Sequence, residues 1–196
     1  MTLKDRSLLE RAVDGLFASG VVDEVVVMVP SDMIDRAREL VPRAHVVVGG
    51  AERTDSVRAG LAAAPGHEYV LVHDAARPLT PAPMIVRVVD ALRAGASAVI
   101  PVLPVVDTVK RVDADGTVEA TVDRADLRAV QTPQGFTAEA LHAAYAAAAG
   151  ALATDDAGLV ERAGGTVVTV AGDPLAMKIT TAFDLRIAQV LVEESA

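Results

Sequence analysis

Residues 69–78 read YVLVHDAARP. The apolar run 69–72 is the pattern of a short strand buried on both faces. It breaks into His73, an acid at Asp74, two alanines and Arg77. In open α/β sheets, ligands bind beyond the carboxyl ends of the strands, so these residues fall where chemistry is expected. An acid there can hold a divalent cation or its waters, and small residues let a ligand approach the backbone. The plainer alternative is that Asp74 caps a turn and pairs with Arg77.

Working outward, similar apolar runs recur at 25–29, 45–48, 98–100 and 167–170. Helix signals lie between them. Ser7 and Glu10 form an S-x-x-E capping box, and Leu9, Val13, Leu16 and Phe17 come after it at helical spacing. Ser31 or Asp32 can cap a helix ending near Pro42, and Thr54 one running to Ala63. Thr80-Pro81 opens a helix to about Gly95, and Thr137 opens an alanine-rich one to Gly150. Thr154-Asp155 caps another, and Thr181 the last, which ends near Val192. Strand and helix alternating over short connections predict one domain over 1–196. It is an α/β, Rossmann-like, mostly parallel sheet with helices on both faces.

The rhythm changes at 109–112 and 118–122, which flank Asp113-Ala114-Asp115-Gly116. That is a β-hairpin inserted in an α/β chain. Neither strand has a long apolar face, so an arm over about 102–128 is expected to project. A two-stranded arm is marginal alone, and the simplest support is a second copy of the chain, giving a homodimer.

Composition narrows the function. Of 196 residues, 52% are apolar and 23% charged, enough for a full core. Only 3% are aromatic, so Val, Ala and Leu must fill that core. A net charge of −9 argues against a nucleic-acid or anionic-membrane binder, although a few convergent Arg and Lys can still hold a phosphate. The absence of cysteine excludes disulfides, Cys–zinc sites and thiol nucleophiles. Residues 1–20 read as an amphipathic helix and not a signal peptide, and no apolar run approaches the roughly 18–20 residues that span a bilayer. A soluble cytoplasmic protein is expected. No Ser-His-Asp spacing stands out, and the four histidines make no metal-ligand pattern.

Seven motifs occur in one order: GGAERTDSV at 49–57, VLVHDAARP at 70–78, DTVKR at 107–111, TVDR at 121–124, QTPQGF at 131–136, TDDA at 154–157 and KITT at 178–181. Together they closely resemble the 2-C-methyl-D-erythritol 4-phosphate cytidylyltransferases, over essentially the whole chain. The resemblance implies CTP and methylerythritol phosphate as substrates, release of pyrophosphate, Mg2+ or another divalent cation, and a homodimer through the β-arm. It places Gly50 and Ser56 against cytosine and ribose, and Asp74 and Ala75 beside substrate and triphosphate. It assigns the methylerythritol phosphate to Thr108, Arg124, Thr154 and Lys178, with Arg124 reaching in from the partner subunit. Arg124, Lys178 and Asp74 are then the catalytic candidates, and Asp74 the candidate metal contact, mainly through substrate phosphates.

Two departures accompany the resemblance. Ala51 stands where some members carry Asp. The family's initial buried strand, its P-A-A-G-x-G-x-R loop and the P-K after it have no counterpart here, and TLKDRSLLERAVDG resembles the family segment just past that P-K. Half of the CTP site and a central strand would then lie outside these residues, and the 196-residue chain alone is expected to be inactive. Two further readings stand beside the first: a ribitol-phosphate-type cytidylyltransferase, and a truncated, non-catalytic dimer.

Overall fold

The structure is a computed structural model and describes residues 1–148 and 155–194. Two short strands, β1 (Thr2–Leu3) and β2 (Arg6–Ser7), precede α1 (Leu8–Ala18). The capping box forms as expected: Ser7 Oγ accepts from Glu10 N–H, and Ser7 N–H donates to Glu10 Oε2. Then come β3 (Val26–Val29), α2 (Ile34–Leu40), β4 (His45–Val48), α3 (Arg53–Ala63), β5 (Tyr69–Val72), α4 (Ala82–Arg93) and β6 (Ala98–Pro104). The hairpin is β7 (Val109–Val112) and β8 (Val118–Val122), followed by β9 (Arg128–Val130), β10 (Gln134–Thr137) and α5 (Ala138–Ala147). The chain closes with α6 (Ala157–Arg162), β11 (Val168–Ala171) and α7 (Ala182–Glu194).

The larger sheet has the order β11-β6-β10-β5, with β9 also on β6. β11 runs parallel to β6, and β10 runs antiparallel to both β5 and β6. β5, β6 and β11 therefore share one direction, as the strand–helix alternation predicts. β10 is the strand that the pattern does not reveal. It carries one large apolar residue, Phe136, among Gln134, Gly135 and Thr137.

Both faces of the central strand β6 are buried, which is why it reads as an unbroken apolar run. Along β6, Ala98, Ile100 and Val102 face Phe136, Leu141 and Leu159 under α5 and α6. Val99 faces the other way, to Val88 and Leu92 of α4. Gly135 is what lets α4 lie close: a Cβ there would meet Val88 Cγ1 at 2.5 Å.

β3 and β4 form a separate parallel pair, with Val26 opposite His45 and Val29 opposite Val48. Among the described residues no ladder joins β3 to β5. A cavity of about 820 Å3 lies between them, lined by Val27, Val57, Leu61 and Leu71. Glu24 and His67, which precede the two strands, meet at 2.7 Å at one end. Arg53, Ser56, Asp74 and Ala75 line the other. β3 and β5 thus point their carboxyl ends the same way.

The hairpin pairs only within itself among the described residues, and Val112 and Val118 are exposed on it. Three cap expectations need correction. α2 begins at Ile34 after Met33 with no side-chain cap, so neither Ser31 nor Asp32 caps it. α3 begins at Arg53 after Glu52, so Thr54 lies inside the helix and does not cap it. α4 begins at Ala82, and the Thr80 hydroxyl donates back to Arg77 O at 3.0 Å instead. Thr181 does cap α7, its Oγ1 accepting from Asp184 N–H at 3.2 Å. No helix among the described residues is long and apolar enough to cross a membrane.

Candidate active site

A second, polar cavity of about 400 Å3 opens beyond the carboxyl end of β5. Its charged walls are Arg53, Asp74, Arg77, Asp155 and Lys178, and Gln131, Thr132 and Gln134 complete it. Of the candidates from sequence, Asp74 and Lys178 meet here, with Lys178 Nζ 2.9 Å from Asp74 Oδ2.

Local backbone geometry builds the contact. Ile179 N–H donates to Ala76 O at 2.8 Å, which ties the KITT segment to the loop after β5. Arg77 Nη1 donates to Ala176 O at 2.6 Å and fastens the same two segments again. Asp74 N–H donates to Thr132 Oγ1 at 3.0 Å, and that hydroxyl also lies 3.0 Å from His73 Nδ1. A two-way clamp holds the far wall: Gln131 Nε2 donates to Asp173 O at 2.8 Å, and Asp173 N–H donates to Gln131 Oε1 at 3.0 Å. Gly172 must be glycine here, because a Cβ would collide with Gln131 Oε1 and Val102 O.

The electrostatics are a consequence of this packing. Burial works to raise the pKa of Asp74, but the Lys178 hydrogen bond and the charges of Lys178, Arg77 and Arg53 overcome it, and the net shift is downward. Asp74 is therefore a carboxylate at neutral pH. Burial pushes His73 down to about 4, so its imidazole is neutral and adds no positive charge. Arg77 Nε pairs with Asp74 Oδ2 at 3.7 Å, as the plainer reading of the sequence allows, but it has no hydrogen-bond partner among the described residues, and neither has the buried Arg53 Nη1. Buried N–H groups are rarely left without an acceptor, and two around one cavity suit a ligand with several anionic oxygens.

The nucleotide-side candidates lie nearby. Gly50 N–H donates to Ser56 Oγ at 3.1 Å, and a Cβ on Gly50 would collide with Asp55. Ser56 and Ala75 line the carboxyl end of the apolar cavity beside Arg53 and Asp74. The arm candidates are elsewhere: neither Thr108 nor Arg124 lines the polar cavity, and Arg124 Nη1 donates to Val106 O within its own chain. Thr154 lies outside the described residues.

Arg53, Gln131, Thr132, Gln134 and Asp155 are site residues to which sequence reasoning gives no role in the site. All five sit inside the seven ordered motifs, so those motifs are the signal that could have found them. What makes them site residues is contact across the fold, such as Gln134 Nε2 donating to Asp155 Oδ2 at 2.9 Å.

The family model described as "IspD: 2-C-methyl-D-erythritol 4-phosphate cytidylyltransferase" matches residues 1–194. The chain is 64% identical over 192 residues to the 2-C-methyl-D-erythritol 4-phosphate cytidylyltransferase of Nocardia farcinica, covering 96% of this chain and 83% of that one. It is 62% identical over 191 residues to that of Rhodococcus jostii, covering 97% and 84%. The crystal structure of the Thermus thermophilus 2-C-methyl-D-erythritol 4-phosphate cytidylyltransferase matches with a TM-score of 0.87 at 36% identity, over 98% of this chain and 91% of that one.

Proposed function

The chain belongs to the 2-C-methyl-D-erythritol 4-phosphate cytidylyltransferase family, and from that premise we propose which of its residues carry the reaction. The family activity transfers CMP from CTP to 2-C-methyl-D-erythritol 4-phosphate, in isoprenoid precursor biosynthesis. An oxygen of the acceptor phosphate bonds to the α-phosphorus of CTP. The bridging bond to the β-phosphate breaks, and pyrophosphate leaves with the electron pair. Such a transfer needs positioning and charge stabilisation more than a strong base.

The observation that carries the assignment is the polar cavity itself. Lys178, Arg77 and Arg53 converge there around Asp74, and two buried guanidinium N–H groups have no acceptor among the described residues. Lys178 orients the acceptor phosphate. Asp74 holds Lys178 and Arg77 in place and stays ionised while doing so. Gly50, Ser56 and Ala75 take the nucleoside side.

Mg2+ suits this donor set. No cluster of three or more potential ligands occurs among the described residues, and Mg2+ is commonly held by one or two carboxylates plus substrate phosphates. Asp74 is the carboxylate that would hold it, and the ion would neutralise charge on the triphosphate.

Thr108 and Arg124 act from a partner subunit in this reading. The exposed valines of the arm, Val106, Val112 and Val118, support a homodimer whose arm rests on the second copy. The protein works in the cytoplasm, where its substrates are small phosphorylated metabolites. Product analysis by mass spectrometry tests the assignment on a chain that also carries the family's P-A-A-G-x-G-x-R segment, offering CTP with methylerythritol phosphate or with ribitol 5-phosphate. Cytidine diphosphate methylerythritol is expected from the first pair. Product from ribitol phosphate alone would overturn it.

A further inference from the structure

Asp156 is fully buried and commits both its oxygens to two side chains. Arg53 Nη2 donates to Oδ2 at 2.5 Å, and the Tyr145 hydroxyl donates to Oδ1 at 2.5 Å. The residues on either side of Asp156 are fixed by a single amide. Gln134 Nε2 donates to Asp155 Oδ2 at 2.9 Å, and Gln134 Oε1 accepts from Ala157 N–H at 3.1 Å. The carboxylate is thus gripped through its neighbours and through its own oxygens.

What it holds is one nitrogen of a guanidinium. The other nitrogen of that fork, Arg53 Nη1, is buried without a partner among the described residues, and Arg53 lines the polar cavity with Asp74 and Lys178. A buried ion pair is a weak source of stability, because desolvation offsets most of its attraction. Its use here is geometric: a planar fork held at one buried nitrogen has few directions left for the other.

We infer that Arg53 is a phosphate-binding residue of this site and that Asp156 and Tyr145 are positioning residues acting through it. The inference rests on the functional reading above and deepens it. Asp156 and Tyr145 touch no substrate; they set the direction of Arg53 Nη1. A merely structural role would instead make the pair a tie between α3 and the α5–α6 layer. A control for that tie exists. Arg58, also on α3, sits 5.5 Å over the Tyr145 ring and does not line the polar cavity.

The test is calorimetric titration with inorganic phosphate of a chain that carries the family's Gly-rich loop, with turnover of CTP and methylerythritol phosphate measured on the same preparations. Arg53→Ala is expected to weaken phosphate binding about tenfold, the scale of one charge-assisted hydrogen bond. Asp156→Asn and Tyr145→Phe should each weaken it severalfold, and Arg58→Ala should not. In the Arg53→Ala background, Asp156→Asn should add nothing, and added guanidinium should restore binding only while Asp156 is present. Should Asp156→Asn collapse the fold by thermal melting, Tyr145→Phe carries the same comparison. Additive losses, or unchanged phosphate binding in Arg53→Ala, would overturn the inference. Phosphate binding that follows this pattern without any turnover would support the inference and count against the functional reading alone.

Discussion

Lys178 Nζ stands 2.9 Å from Asp74 Oδ2, and the two segments that carry them are bonded to each other by their own backbones. The pair is therefore preorganised, which is where much catalytic power in phosphoryl chemistry originates. It also sets the charge of Asp74. Burial alone would raise that pKa, and the cations reverse the sign.

A pH dependence results. A carboxylate whose folded pKa lies below its ordinary value, about 3.9, contributes stability that is present above that value. The contribution disappears as pH falls through the lowered folded value. Removing the nearest cation leaves burial less opposed. Lys178→Met should therefore shift the acid limb of kcat/KM toward neutral pH, beyond any loss of rate at the optimum. A pH–rate profile of the two proteins, each carrying the family's Gly-rich loop, checks this, and coincident acid limbs would contradict it.

Gly135 carries a second prediction. It lies on β10 under α4, where an added methyl would meet Val88 Cγ1 at 2.5 Å and Leu92 Cδ1 at 3.0 Å. Gly135→Ala should destabilise the fold by about 1–3 kcal/mol through overpacking. Val88→Ala makes room at that point, so the double variant should lose less than the sum of the singles. Urea unfolding of all three proteins measures the difference.

Much of this architecture is legible in the sequence, and the parts that are not share a cause. The strands at 45–48 and 69–72 and both hairpin strands match the observed elements residue for residue, because buried runs and an Asp-Gly turn are local signals. β10 escapes because Gln134 and Gly135 look like loop residues. They tolerate full burial only because the Gln134 amide is satisfied by the 155–157 segment and Gly135 makes room for α4. Arg53 escapes for a similar reason: its partner Asp156 is 103 residues away. Asp74 and Lys178 are legible as motif residues, whereas their contact is not. Arg124 and Thr108 lie on the arm, and neither lines the polar cavity of its own chain.

Asp184 gives a prediction about stability near the site. Its Oδ2 accepts from Thr180 N–H at 2.9 Å and Thr181 N–H at 2.8 Å, and these bonds hold its pKa down at about 2. They fix the first turn of α7 directly after Lys178 and Ile179. Asp184→Asn should lower the melting temperature at neutral pH. Because the folded pKa is depressed, the advantage of the carboxylate is present above its ordinary value and lost as pH falls through about 2. The two proteins should therefore converge in melting temperature at that acidity, and a gap independent of pH would contradict the assignment.

The last prediction concerns the arm. If Arg124 reaches the acceptor phosphate of a partner's site, it does not hold CTP. Tested in a chain that carries the family's Gly-rich loop, Arg124→Ala should leave CTP binding nearly intact and cut turnover by roughly tenfold to a hundredfold, the scale of a lost charge-assisted contact to a nucleophile. Arg124→Lys should stay poor, because an ammonium cannot reproduce a two-pronged grip on phosphate. Lys178 belongs to its own chain's cavity beside Asp74. Mixing Arg124→Ala chains with Lys178→Ala chains should then form heterodimers in which one site carries both residues and the other carries neither. The intact site should restore activity in proportion to the heterodimer present. Proven subunit exchange without recovery would mean that Arg124 serves its own chain's site, and that the arm does not donate it.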